Sequence, residues 1–212
     1  MKTKTKNEEA NSFKLNYFLM YGSLGLSLPF FPVFLKNYGC GSSLIAFLQS
    51  LQPILLCFAP ALVGQWVSQG LLNREKLIVL SAWGSFLTII PLFLGKSLTV
   101  LIVCLSLHAP FRVIISPLVD ASCLDYLKRT GDEYGRLRLF GSLGFIIASL
   151  LGGSLFSWGP VIPFLIAYII LQIGQIITAN SLRNNFTDTE PDMETKNSLK
   201  VTNKIFWTPI VL

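Results

Sequence analysis

The sequence predicts an all-α membrane protein in which six transmembrane helices form one bundle. Three observations carry this. Of 212 residues, 52% are hydrophobic and only 13% are charged, and the mean hydropathy is +0.59, too apolar for an ordinary water-soluble domain. Six apolar stretches have close to the roughly 20 residues that a helix rising about 1.5 Å per residue needs to cross a bilayer. Finally, fourteen of the seventeen Lys and Arg residues fall on one alternating set of connections, as the positive-inside rule requires of a multi-span chain.

The elements follow in order. Residues 1–12 form a polar tail, and residues 13–182 hold the bundle. The first span, Leu15 to Leu35, contains Pro29 and Pro32, a kink signal near its far end. It is too long for a signal peptide and no small-residue cleavage site precedes the next span, so it reads as a retained helix. The second span, Leu44 to Val63, carries Gln49, Gln52, Pro53 and Pro60. Polar groups in lipid need partners, so these residues are expected to face other helices or a water-filled cavity.

The third span runs from Leu77 to Gly95 and the fourth from Leu98 to Val119. Ala121, Cys123, Leu124, Tyr126 and Leu127 continue the fourth span's apolar face as far as Lys128 and Arg129. Gly131 and Asp132 mark the following turn, with Asp132 placed to cap the fifth helix. The fifth span, Leu139 to Trp158, has a stripe of small residues at Gly141, Gly144, Ala148 and Gly152, which lets another helix approach closely. A tight turn at Ser157 to Pro160 leads into the sixth span, Val161 to Leu182. Residues 183–204 have the composition of a solvated linker. Residues 205–212 begin a new apolar run too short to cross a bilayer, the expected start of a truncated seventh helix.

Lys2, Lys4, Lys6, Lys14, Arg74, Lys76, Lys128, Arg129, Arg136, Arg138, Arg183, Lys196, Lys200 and Lys204 share one side, whereas Lys36 and Lys96 lie on the other. The N-terminus and the 183–204 linker are therefore expected in the cytoplasm, with the bundle in the cell membrane. The net charge of +6 and the pI near 9.2 then report topology, and no nucleic-acid partner is expected. Cys40, Cys57, Cys104 and Cys123 match no metal or redox spacing, and the single histidine excludes a His cluster. No paired carboxylates, Cys and His pair, Ser and His pair or ligand set occurs in the spans, so neither an enzyme nor a cofactor is expected.

Asp120 and Arg138 stand eighteen positions apart around the turn between the fourth and fifth spans. In an antiparallel hairpin they share nearly the same depth, within about 3 Å at 1.5 Å per residue, and can pair. One reading is a structural ion pair or two snorkelling side chains. The other is a substrate site in which the carboxylate accepts and the guanidinium donates hydrogen bonds. Phe145, seven positions after Arg138, lies two turns along the same face, where its ring can stack on a solute. His108 and Arg112 form a second group one turn apart. Arg112 must find an acid, backbone carbonyls or water, because a charge at a helix centre costs roughly 2.5 to 3.5 kcal/mol. His108, Arg112, Tyr21 and Arg136 are cavity-lining or gating candidates.

The stretch from Pro29 to Pro32, followed by Val33 and Phe34, resembles the end of the first helix in the lactose-permease-like branch of the major facilitator superfamily. The segment from Asp120 through Glu133, Tyr134, Gly135, Arg136, Leu137, Arg138, Leu139, Phe140 and Gly141 to Gly144 is similar to that family's hairpin between helices four and five. The run YGRLRLFGSLGF is closer still to its phenylpropionate-permease-like members. The resemblance covers most of residues 13–182. It implies the N-terminal half of a secondary transporter, with Asp120 and Arg138 binding a small solute, sugar-like or an aromatic acid, Phe145 stacking on it, and uptake coupled to H+. The partner it implies is a missing C-terminal six-helix half, which holds the family's coupling residues. Two positions depart from the pattern: Phe145 stands where the family has tryptophan, and Ser68 stands four residues after Gly64 where it has aspartate. A non-transporting membrane receptor or interaction protein on the same scaffold is the alternative.

Overall fold

The structure, a computed structural model, describes residues 6–69, 73–93, 97–159 and 162–186. Six helices span these segments: α1 (Lys6–Asn37), α2 (Ser42–Ser68), α3 (Arg74–Ile89), α4 (Leu98–Thr130), α5 (Tyr134–Trp158) and α6 (Ile162–Phe186). All six regions are long and apolar enough to cross a membrane. The start of the tail, the linker beyond residue 186 and the expected seventh helix lie outside the described residues. α1 continues through Pro29 and Pro32. α3 instead gives way to a 3-10 turn, Ile90–Phe93, because Pro91 offers no N–H to the helical ladder and its ring crowds the preceding turn.

The helices pair in a pattern that repeats itself. α1 packs on α5 and α6, α4 packs on α2 and α3, and α3 meets α6. Exchanging α1 with α4, α2 with α5 and α3 with α6 maps this set of contacts onto itself, the signature of two inverted three-helix repeats within one half-bundle. One apolar core lies toward the N-terminal end, around Phe13, Tyr17, Ile115, Val119 and Tyr126. A second lies toward the other end, around Leu26, Phe34, Leu101, Leu105 and Phe164. Outward-facing Leu150, Ile170 and Ile177 are exposed, as lipid-facing side chains should be.

The small-residue stripe of α5 is the seam on which α1 lies. A Cβ added at Gly144 would collide with the Phe18 backbone carbonyl, and one added at Gly25 with that of Phe145. The two backbones therefore touch where neither helix carries a side chain. At the end of α4, Gly131 takes the left-handed conformation, φ 70°, and donates its N–H to the Leu127 carbonyl, a C-cap open to glycine at little steric cost.

The turn beyond it differs from the expected capping. Glu133, not Asp132, occupies the N-cap of α5 and makes no side-chain cap bond. Asp132 is drawn away by stronger partners: it accepts the Tyr126 hydroxyl at 2.6 Å and pairs with Lys6 at 2.9 Å. Lys6 also donates to the Thr130 carbonyl, and Glu9 pairs with Arg129. The start of α1 is thus strapped to the end of α4. These contacts, the Tyr126 bond first, hold the Asp132 carboxyl below the usual carboxylate range. A depressed folded-state pKa stabilises fully above the unfolded value of about 3.9 and is lost as pH falls through the folded value. The strap should therefore persist to a pH at which an ordinary aspartate is already protonated, then release. Limited proteolysis at the first residues of α1 across an acid titration checks this, with release near pH 4 or above as the contrary result.

Candidate functional site

α4 and α5 are consecutive, yet α5 packs on α1 rather than on α4. That topology decides what happens to Asp120 and Arg138. The expected direct ion pair is not among the salt bridges of the described residues; tyrosines of α1 stand between the two charges. Tyr17 donates its hydroxyl to Asp120 Oδ1 at 2.7 Å, and Tyr134 from the first turn of α5 donates to the same oxygen at 3.2 Å. The Arg138 guanidinium lies over the Tyr21 ring at 3.7 Å and within 5.7 Å of the Tyr17 ring. Both charged side chains are only half-buried. Tyr17 therefore touches both groups, hydrogen-bonding the anion and offering its ring face to the cation. The Tyr21 hydroxyl meets Ser116 Oγ at 3.2 Å, which fixes the ring under the guanidinium.

Toward the middle of the bundle, Arg112 is buried, and one terminal nitrogen donates to the Met20 carbonyl and to Ser23 Oγ, both at 2.7 Å. Of the partners open to it from sequence, backbone carbonyl is the one it takes, supplemented by a hydroxyl. These bonds tie α4 laterally to α1. One turn away, His108 is buried with both ring nitrogens engaged. Nδ1 lies 3.0 Å from the Ser85 carbonyl and Nε2 lies 3.0 Å from the Tyr168 hydroxyl. A carbonyl can only accept, so Nδ1 carries a proton and donates it to Ser85, with Thr88 Oγ1 3.1 Å from the same nitrogen.

Above His108 a cavity of about 420 Å³ opens among α1, α2, α3, α4 and α6, within the size range of small-molecule pockets. Phe31, Phe34, Phe164 and Tyr168 supply aromatic walls, and Ser27, Gln49, Gln52 and His108 supply polar groups. The glutamines of the second span thus face a cavity, one of the two placements expected of them. Of the other sequence candidates, Arg136 is exposed and pairs with Glu133 at 3.0 Å. Phe145 is half-buried, and its backbone lies against Gly25. Asp120, Arg138, Phe145, Tyr21, Arg112 and Arg136 do not line this cavity.

Sequence reasoning passed over two sets of polar residues. Tyr17 carries no charge, and nothing in the local sequence sets it apart from its apolar neighbours. On α6, Tyr168, Gln172, Gln175, Thr178 and Ser181 recur every three or four residues along one face. Asn16 donates to Thr178 at 2.8 Å, Ser12 meets Ser181, and Ser85 donates to Gln172. Gln172 and Gln175 are fully buried. The periodicity of polar residues inside an apolar span was a legible signal of a buried polar face. Near the far end, the thiol of Cys40 is free and buried, and burial pushes its pKa up.

Against known families, the MFS_1 like family matches residues 11–208. The chain is 31% identical over 147 residues to maltose permease of Geobacillus stearothermophilus, covering 66% of this chain and 36% of that relative. It is 26% identical over 189 residues to multidrug resistance protein 2 of Bacillus subtilis (strain 168), covering 87% and 47% respectively. It is 29% identical over 142 residues to the probable 3-phenylpropionic acid transporter of Escherichia coli (strain K12), covering 66% and 37%. The matched regions thus span less than half the length of each of these relatives. No solved structure matches the chain.

Proposed function

Because the chain belongs to the MFS_1 like family and has the fold of the N-terminal half of such a transporter, we propose that it is the first half of a secondary active transporter for a small organic solute. The second half is a further six-helix bundle, and transport proceeds by rocking of the two halves around a central site. The substrate is sugar-like or an aromatic acid, taken up with H+. The N-terminus faces the cytoplasm across the cell membrane, as the distribution of cations supports.

The observation that carries this reading is the cluster of Asp120, Tyr17, Tyr21 and Arg138. A carboxylate and a guanidinium, each half-buried in an apolar bundle and each held by an aromatic side chain, make a poor structural ion pair because they do not touch. They make a good receptor for a solute bearing hydroxyl or carboxyl groups, because the tyrosines orient both ends of the charge pair before the solute arrives. Phe145 contributes an apolar ring from the same helix as Arg138. The relatives named as a maltose permease and a probable 3-phenylpropionic acid transporter support these two solute classes.

Uptake of labelled maltose and 3-phenylpropionate into vesicles holding the full-length protein tests the proposal. Concentrative uptake of one of them under an imposed proton gradient is expected. Asp120→Asn and Arg138→Lys should each reduce it at least about ten-fold, the effect of losing roughly 1.4 kcal/mol of charged hydrogen bonding. Wild-type rates in both variants would remove the cluster from the mechanism. Absence of uptake would favour a non-transporting receptor.

A further inference from the structure

A buried cation stands behind the floor of the cavity at His108. Arg112 is only 8% exposed, and none of the ion pairs among the described residues includes it. Its Nη2 makes the bonds to Met20 and Ser23, and its side chain also hydrogen-bonds Tyr168. A guanidinium has more N–H donors than these bonds use. His108 lies one turn back along α4, and the charge of Arg112 acts on both His108 and Tyr168. Those two side chains line the cavity, so the charge is felt inside it although Arg112 is not in its wall. No lining residue is an acid that would answer the cation or repel an anion. A buried charge without a counter-charge is costly, and an anion at the floor would lower that cost without breaking a bond to α1. Above the floor the walls are aromatic: the Phe34 ring centroid stands 5.2 Å from that of Phe164 and 6.3 Å from that of Phe31.

We propose that this cavity is a second binding site, for small aromatic carboxylates, with the carboxylate at the floor against Tyr168 and His108 and the ring among Phe31, Phe34 and Phe164. The space of about 420 Å³ suits one such molecule. The carboxylate supplies a counter-charge to Arg112, and the Tyr168 hydroxyl stands between the two. An ammonium of the same shape would meet the field of the guanidinium with no acid to offset it, and a neutral amide would leave the cation unanswered. Gln49 and Gln52 on the α2 wall offer neutral donors and acceptors to ring substituents. No residue of the Asp120, Tyr17, Tyr21 and Arg138 cluster lines the cavity. The site therefore goes beyond the transporter reading and does not depend on the solute that the cluster takes.

Three probes of one shape test this: phenylacetate, phenylacetamide and phenethylammonium, titrated calorimetrically into the full-length protein in lipid nanodiscs. Phenylacetate should bind saturably and at least about ten-fold more tightly than either analogue. No phenylacetate binding, or amide binding as tight as that of the acid, would overturn the proposal. Arg112→Met should reduce the preference for acid over amide at least about ten-fold, a ratio that a merely structural role would not move. An unchanged preference in the folded variant would take Arg112 out of the site and overturn the proposal. Location is read in the wild type, which keeps the test valid if the variant fails to fold. Phenylacetate carrying a para diazirine, photolysed and mapped by mass spectrometry, should label the α2 or α6 wall near Gln52 or Phe164, and excess phenylacetate should block that labelling. Labelling confined to α5 near Arg138 and Phe145 would assign the anion to the cluster and overturn the proposal equally. These experiments read no transport, so failure here leaves the uptake result standing, and failure of uptake leaves this one standing.

Discussion

Gly144→Leu is expected to prevent the bundle from forming, or to lower its stability by roughly 3 kcal/mol or more, the upper end of what overpacking costs. The reason is local. The first carbon of any side chain at this position would overlap the Phe18 backbone carbonyl. A backbone atom within a helix cannot rotate out of the way as a side-chain tip can. Relief requires α1 and α5 to separate, which also pulls Gly22 and Gly25 from their seats along the same seam. Gly153→Ala on the same helix is the control, because a Cβ there meets the Phe30 ring only at 3.8 Å. It should be neutral, or stabilising by up to about 1 kcal/mol through helix propensity. Denaturation midpoints of the two variants in one detergent decide the matter; similar midpoints would show that the seam is not a close backbone contact.

The second large effect is expected on activity rather than on stability. Arg112→Met removes two charge-assisted hydrogen bonds worth about 1.5–3 kcal/mol each, but it also removes a cation whose insertion costs roughly 2.5–3.5 kcal/mol. The second contribution offsets much of the first, so the variant should fold with a loss of stability of no more than about 3.5 kcal/mol. What is lost is the deepest of the ties between α4 and α1, beside the Tyr17–Asp120 and Tyr21–Ser116 bonds, in a pair of helices that otherwise pack chiefly on other partners. That tie helps to set the position of Tyr17 and Tyr21 on α1 relative to Asp120 on α4, together with their own bonds to Asp120 and Ser116. Uptake by the full-length protein should consequently fall at least about ten-fold, with faster amide exchange around Met20 and Ser23. Wild-type uptake would show that Arg112 has no part in positioning the cluster.

The span count, the long fourth helix and the small-residue contact face of the fifth were legible because each depends on local properties. Length against bilayer thickness, hydropathy and residue size need no knowledge of neighbours. Equal depth lets Asp120 and Arg138 pair but does not make them do so, because it fixes a residue's height on a helix and not the direction in which it points. Adjacency in sequence also fails to imply adjacency in space: α5 lies on α1, and so tyrosines from a third helix intervene. Arg112 illustrates the converse. Its need for a partner was evident from the cost of its charge, but which carbonyl would serve depended on tertiary packing. Asp132 lost its expected capping role to Tyr126 and Lys6, the latter 126 positions earlier in the chain, a competition no local pattern contains. The polar face of α6 is written in the sequence too, but glutamines and threonines spaced by three or four are a quieter signal than charges.

With 32 residues in α1 and 33 in α4, each helix is about 48–50 Å long, against a hydrocarbon layer of about 30 Å. Their surplus lies at a common end, where the Lys6–Asp132 and Arg129–Glu9 pairs fasten one to the other. The result is a braced two-rod post at the end that carries Lys6, Lys128 and Arg129. Torque applied to its tip reaches both rods at once, and with them the two helices that carry Tyr17 and Asp120.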